Sequence, residues 1–226
     1  MLSGLTIDDL AAGAPQHRQV VAELPSLGAP RRAIAPGALE LMLCHTADAA
    51  FSSDDWVFEL KYDGFRMASF GGAGQAQLRY RSGKDPTLRY PELTSALRAM
   101  PIPGLVLDGE IVMLDAEGKP DFHKLAARAQ IHRTSEIQRA AMANPVTYMV
   151  FDLLGAAGFD LRGLPLLVRK SLLARILPVM RRFNAAWEAA GLLLFRPLFP
   201  RSKKKEPRRR VLRRARRKRA LRRGWA

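Results

Sequence analysis

Trp56-Val57-Phe58-Glu59-Leu60-Lys61-Tyr62-Asp63-Gly64-Phe65-Arg66 is the run on which the fold turns. Trp56, Phe58, Leu60 and Tyr62 alternate with Val57, Glu59 and Lys61, the period-two pattern of a half-buried strand. Asp63-Gly64 breaks the alternation, so the strand is predicted to end in a tight turn, with Lys61 on its polar face at the mouth of that turn. A lysine so placed admits two readings: the solvated end of a surface strand closed by a Lys–Asp pair, or a nucleophile. An amine attacks only when neutral, and lowering a lysine pKa from about 10.4 to about 7 costs roughly 4.6 kcal/mol at ~1.36 kcal/mol per unit. Neighbouring cations such as Arg66 or a bound metal, with partial burial, are how sites meet that cost. Gly64, lacking a Cβ, lets the backbone turn and approach a ligand closely.

Outward from this run, Leu78 to Arg81 reads as another strand, and Pro91 opens a helix with Leu93 and Leu97 on one face, ended by Pro101 and Pro103. Leu105 to Leu114 alternates again. Val106, Asp108, Glu110 and Val112 point one way, while Leu105, Leu107, Ile111 and Met113 point the other, so two carboxylates share a face. Residues 121–143 read as one helix using Phe122, Leu125, Ala126 and Ala129. After Asn144-Pro145 comes a β-rich run from Val146 to Leu154, and Leu166 to Leu177 reads as a second amphipathic helix. Strands and helices are interspersed without a regular βαβ rhythm, which predicts an α+β domain on a largely antiparallel sheet. Residues 1–34, rich in Ala, Gly and Pro, read as a linker or disordered N-terminal segment.

The charge is unevenly distributed. The 226 residues carry 37 Lys+Arg against 21 Asp+Glu, a formal net charge of +16. From Arg196 onward there are 16 basic residues and one acid, Glu206, so the chain before it is nearly neutral. The basic end has the composition of a nucleic-acid-binding arm, with too few apolar residues for a core of its own. A single cysteine, Cys44, excludes an intramolecular disulfide, and His17, His45, His123 and His132 show no zinc-ligand spacing. No apolar run approaches the ~18 residues of a membrane span, and Asp8 and Asp9 stand where a signal peptide wants basic residues. The expected setting is the cytoplasm.

Two further residues carry candidate chemistry. Glu110 in Leu107-Asp108-Gly109-Glu110-Ile111-Val112 offers hard oxygen to a sugar hydroxyl or to Mg²⁺, or is a solvated acid on a wet strand face. Phe151 in Phe151-Asp152-Leu153-Leu154 offers a ring to stack on a base, or is core.

Taken together, Lys61-Tyr62-Asp63-Gly64-Phe65-Arg66, Arg81-Ser82-Gly83-Lys84-Asp85, Pro91-Glu92-Leu93, Leu107-Asp108-Gly109-Glu110-Ile111-Val112 and Val150-Phe151-Asp152-Leu153-Leu154 resemble, in order and spacing, the motifs of ATP-dependent DNA ligases. The likeness is nearest to the ligase domain of bacterial end-joining DNA ligases. It extends through Asp160-Leu161-Arg162, Leu164-Pro165-Leu166 and Arg169-Lys170, over roughly residues 35–180. The resemblance implies an α+β nucleotidyltransferase (adenylation) domain of the ATP-grasp-like DNA ligase type, with mostly antiparallel sheets and lacking the OB-fold domain. It implies ATP and Mg²⁺ as cofactors, and Lys61 as the catalytic residue that attacks the α-phosphorus and carries AMP as a phosphoramidate. By motif position Glu59 would read the adenine, Arg66 and Arg81 the ribose and phosphates, Glu110 the ribose or the metal, and Phe151 the adenine face.

The partners so implied are nicked or broken duplex DNA and an end-binding protein, with the chain a monomer away from membranes. The family continues into a Glu-Gly-x-Val-x-Lys motif, a Lys-x-Lys motif and an OB-fold; Leu193-Leu194-Phe195-Arg196-Pro197 stands where the first would begin. Residues 35–192 are therefore expected to be a C-terminally incomplete adenylation domain, and 193–226 a basic tail, disordered or frame-shifted. The alternatives are an RNA ligase or capping-type nucleotidyltransferase, and a non-catalytic basic fragment that binds nucleic acid through its tail.

Overall fold

Five antiparallel strands form the frame: β1 Phe65–Gly72, β2 Gln75–Tyr80, β3 Leu105–Val112, β4 Thr147–Ala156 and β5 Phe159–Asp160, in the spatial order β2-β1-β3-β4-β5. The computed structural model describes residues 16–43, 53 and 56–177. Two hairpins turn on Ala-Gly pairs with positive φ at both positions, Ala73 (51°) with Gly74 (88°) and Ala157 (50°) with Gly158 (82°). Two consecutive left-handed residues match the twist of the strands they join.

Both faces of the sheet are covered. On one lie the helices α1 Pro91–Ala99, α2 Phe122–Ala129, α3 Thr134–Ala143 and α4 Leu166–Ile176, whose Leu93, Leu97, Leu125, Leu172, Leu173 and Ile176 join Met67, Leu107, Ile111 and Leu153 in the main core. On the other, Ile34, Leu39 and Leu41 pack against Ala68, Phe70, Val106 and Leu154. The alternation read in Leu105–Leu114 thus sorts its residues correctly between two apolar layers.

Three expectations are corrected. Residues 121–143 form two helices, because Arg128 turns inward to donate to the Arg89 carbonyl at 2.8 Å while the Arg89 guanidinium takes the Ala129 carbonyl. With its end carbonyl claimed from outside, the first helix stops and the second restarts at Thr134. Trp56–Tyr62 runs outside the sheet: Trp56 is 62% exposed and Leu60 59%. Alternation fixes which side chains share a side, but a strand also needs a backbone partner, and none of the described strands supplies one.

The third correction concerns residues 16–34, expected as linker. Residues 16–23 are helical, Val20 and Leu24 are fully buried in the main core, and Val21 and Leu27 pack on it. The His17 ring bonds the Ile176 carbonyl at 2.8 Å and Glu23 pairs with Arg175 at 2.5 Å, so this segment is riveted to α4. The spacing Val20, Leu24, Leu27 is a helical face interrupted by Pro25, which sits at the second position of the 3₁₀ turn Leu24–Leu27, within the first turn, where its missing N–H costs nothing. Residues 1–15, Cys44 and the basic end lie outside the described residues. Among the described residues no helix is long and apolar enough to cross a membrane.

Candidate active site

Register places Arg66 of β1 opposite Glu110 of β3, and Ala68 opposite Asp108, so these four share the face of the sheet away from the helices. The Arg66 guanidinium grips Asp108 with two bonds, Nε to Oδ1 and Nη2 to Oδ2, each 2.7 Å, and Nη2 also donates to the Met42 carbonyl at 3.3 Å. The fork geometry makes this pair stronger than a single contact. Burial pushes the Asp108 carboxyl up and Arg66 pulls it back, leaving it raised. The bond to Asp108 holds the Arg66 proton above the ordinary guanidinium value. The same guanidinium lies over the Phe151 ring, 4.6 Å from its centroid.

Phe151 reaches that position through a bulge. Between Asp108 and Gly109 the β3–β4 register jumps from Gly109↔Val150 to Asp108↔Asp152, which leaves Phe151 as the extra residue on β4. Asp152 is held by Arg169 of α4 in a second fork, with both bonds at 2.8 Å. Gly109 has a local reason as well: a Cβ there would lie 2.6 Å from the Tyr148 ring. Its absence lets Tyr148 cross β3 and donate its hydroxyl to the Met67 carbonyl at 2.8 Å and the Leu107 carbonyl at 3.2 Å. Burial pushes that phenol far above its ordinary range.

The segment bearing Lys61 is tied to this floor at several points. A Cβ on Gly64 would sit 2.0 Å from the Ile111 carbonyl oxygen, so Gly64 serves close approach to β3. Its N–H bonds the Glu110 carboxylate. Burial pushes the Glu110 carboxyl up, and Arg66, the Gly64 N–H and the Lys61 ammonium partly offset it, which puts Lys61 within electrostatic reach of Glu110. Tyr62 packs on the Val112–Met149 cluster, and its phenol is pushed up to about 12 by burial and by Glu59. Glu59 pairs with Lys170 of α4, whose ammonium also donates to the Phe151 carbonyl at 2.8 Å.

Glu59, Lys61, Arg66, Glu110 and Phe151 therefore gather around one place on the sheet. Arg81 is adjacent: its N–H donates to the Arg66 carbonyl at 3.2 Å, and its exposed side chain borders a cleft of about 510 Å³ lined also by Leu41, Leu43, Ala68 and Arg79. Among the described residues no set of three or more His, Cys, Asp or Glu converges as a metal cage. Asp108 is spent on Arg66, which leaves Glu110 as the single available carboxylate of the pair. One carboxylate completed by substrate oxygens is an ordinary way to bind Mg²⁺, so the donor set fits that ion.

Sequence reasoning missed the anchoring role of Asp108 and the part of Lys170. Asp108 was signalled by sharing a strand face with Glu110. Lys170, 111 residues from Glu59, had no local signal.

Residues 41–190 match the model of the ATP dependent DNA ligase domain. The chain belongs to the ATP-dependent DNA ligase domain family. The matched span of this ligase domain contains all six candidate site residues. A probable DNA ligase of Streptomyces coelicolor is 37% identical over 142 residues, which is 61% of this chain and 27% of that protein. The multifunctional non-homologous end joining protein LigD of Pseudomonas aeruginosa is 37% identical over 123 residues, 54% of this chain and 14% of that one. The ligase chain thus spans about a quarter or less of the length of these relatives. The crystal structure of the ligase domain from M. tuberculosis LigD aligns with a TM-score of 0.44 at 28% identity, covering 59% of this chain and 44% of that chain.

Proposed function

We propose that this chain carries the adenylating site of an ATP-dependent DNA ligase, with Lys61 as nucleophile. Lys61 Nζ attacks the α-phosphorus of ATP, the bond to the β-phosphate oxygen breaks, pyrophosphate leaves, and AMP stays on the lysine as a phosphoramidate. AMP then passes to the 5′-phosphate of a broken strand, and the 3′-hydroxyl displaces it. Phosphoryl transfer asks for in-line positioning and for cations around the developing charge, not elaborate covalent chemistry. Arg66 and Arg81 supply those cations, Glu59 accepts from the adenine amine, and Phe151 stacks on the base. Glu110 takes the ribose or a Mg²⁺ ion, which when bound neutralises phosphate charge.

The observation that supports this reading most is the meeting of a reachable lysine with Arg66, Glu110 and Phe151, residues from three different strands, on one sheet face. We further propose residues 35–192, together with the core-packed segment 16–34, as the adenylation unit and the basic end from 193 as a nucleic-acid arm. Nicked or broken duplex DNA would be the substrate, with an end-binding protein recruiting a monomeric chain in the cytoplasm, away from membranes.

A denaturing gel after incubation with Mg²⁺ and labelled ATP or GTP tests the site. Wild type is expected to carry label from ATP, and Lys61→Ala none. A folded wild type that stays unlabelled, or label that survives Lys61→Ala, overturns the assignment. Label from GTP alone would favour a capping-type enzyme.

A further inference from the structure

The segment that carries Glu59 and Lys61 lies outside the sheet, so something other than a strand ladder must hold it in register with the base-stacking ring. Lys170 does this from α4. Its ammonium pairs with the Glu59 carboxylate and donates to the Phe151 backbone carbonyl at 2.8 Å. The lysine side chain is only 12% exposed, against 38% for Glu59, so the tie is sheltered on the lysine side and open on the carboxylate side. Helix α4 is itself fixed beside β4 by the Arg169–Asp152 fork and by Leu172, Leu173 and Ile176 in the core. Helix α4 therefore reaches across the bulge and ties the more exposed Glu59 carboxylate to the backbone of Phe151.

We propose that Lys170 is a positioning residue for purine selection: by binding Glu59 and the Phe151 carbonyl at once, it fixes the base-reading carboxylate relative to the stacking ring. The proposal rests on the adenylation reading above and adds to it a residue with no contact to the reacting phosphorus. The chemistry follows from the base edge. Adenine presents a 6-amino donor, which a fixed carboxylate accepts; guanine presents a 6-oxo acceptor, which the same carboxylate repels. A carboxylate that wanders accepts and rejects less well, because a site discriminates in proportion to how completely a mismatch strands its polar groups. Lys170 also steadies Lys61, two residues beyond Glu59, but only through the intervening chain.

The test uses the full chain and measures initial rates of lysyl-AMP formation with ATP and with GTP, over a range of each nucleotide. Lys170→Ala is expected to raise the half-saturating ATP concentration about tenfold, the order expected for losing a hydrogen bond to a charged group. The maximal rate should change much less, and the ATP-over-GTP preference should narrow. Lys170→Arg, which keeps two donors and the charge, should restore most of the preference. In a Glu59→Gln background Lys170→Ala should add little, since its effect runs through Glu59. Additive effects in the double variant, an unchanged ATP preference in Lys170→Ala, or loss of maximal rate alone would overturn the proposal while leaving the Lys61 assignment standing. A folded wild type that forms no adduct would instead remove the adenylation reading, and this proposal with it. Thermal melts of every variant separate a loosened site from a loosened fold.

Discussion

A Cβ at position 64 would meet the Ile111 carbonyl oxygen at 2.0 Å, a separation no packed atoms sustain, so Gly64→Ala must push the Lys61 segment away from β3. The expected cost is about 1–3 kcal/mol of stability from overpacking. It should come with a fall in adduct formation at temperatures where the variant is still folded, because the Gly64 bond to Glu110 is lost as well. Circular dichroism melts beside labelling assays check both parts. The sequence made Gly64 legible as a special residue and suggested a turn and close approach to a ligand as its purpose; what it closely approaches is a strand 47 residues later, which local pattern does not reveal. Glu110 carries a second prediction at this scale. Burial raises its folded-state carboxyl above the unfolded value, so the protonated form is favoured by folding. That contribution is complete below the unfolded pKa of about 4.3 and is lost as pH rises through the raised value. At neutral pH the ionised group therefore opposes folding, and Glu110→Gln, which keeps an acceptor for the Gly64 N–H, should raise the urea midpoint at pH 7 but not at pH 4. Equal midpoint shifts at the two pH values would contradict this.

Strand β4 and helix α4 are held to one another by a fork of charge. Asp152 of β4 and Arg169 of α4 are each 11% exposed along the side chain, and two bonds of 2.8 Å join them, while Arg169 also donates to the Leu164 carbonyl. Removing one partner of a buried pair strands the other, so Asp152→Ala is expected to cost about 3–5 kcal/mol. Replacing both, as Asp152→Leu with Arg169→Met, should cost less than either single loss, because no unpaired charge remains. Chemical denaturation of the two single variants and the double variant measures this, and additive losses would show that the pair is not the unit. Element positions were largely legible: Pro91 and the Leu93–Leu97 spacing gave α1, and the two-sided alternation of Leu105–Leu114 gave β3 with both its apolar layers. The break after Ala129 was not, since it depends on Arg89, forty residues upstream, taking the helix-end carbonyl. The Phe151 bulge was equally hidden, because a run of apolar residues looks the same whether or not one of them is unpaired.

Along the whole chain, the surplus positive charge is separated in sequence from the residues that build the apolar core. The sheet, its helices and the Ile34, Leu39 and Leu41 side chains packed on its other face belong to a stretch that is close to electrically balanced, whereas 16 of the 37 basic residues follow Phe195. The family could be read from the order of its motifs because each motif also does local work: Gly64 and Gly109 permit close approach, and Asp108 and Asp152 anchor arginines. The basic end has no such structural explanation in its sequence, and its charge is the property to test. Each phosphate it neutralises releases condensed counterion, so the logarithm of duplex affinity should fall with the logarithm of salt at about 0.9 per contact. Substituting Arg208, Arg209 and Arg210 with Gln in the full chain should weaken binding to any duplex sequence alike, and should flatten the salt slope by up to about 2.7 if all three meet phosphates. Lysyl-AMP formation, whose proposed residues all lie at or before Lys170, should be unaffected. Titrations of a labelled nicked duplex between ~50 and ~200 mM salt measure the slope. Affinity that does not change with salt, or a substituted chain with the wild-type slope, would place DNA binding on residues before Arg196 and not on the cationic end.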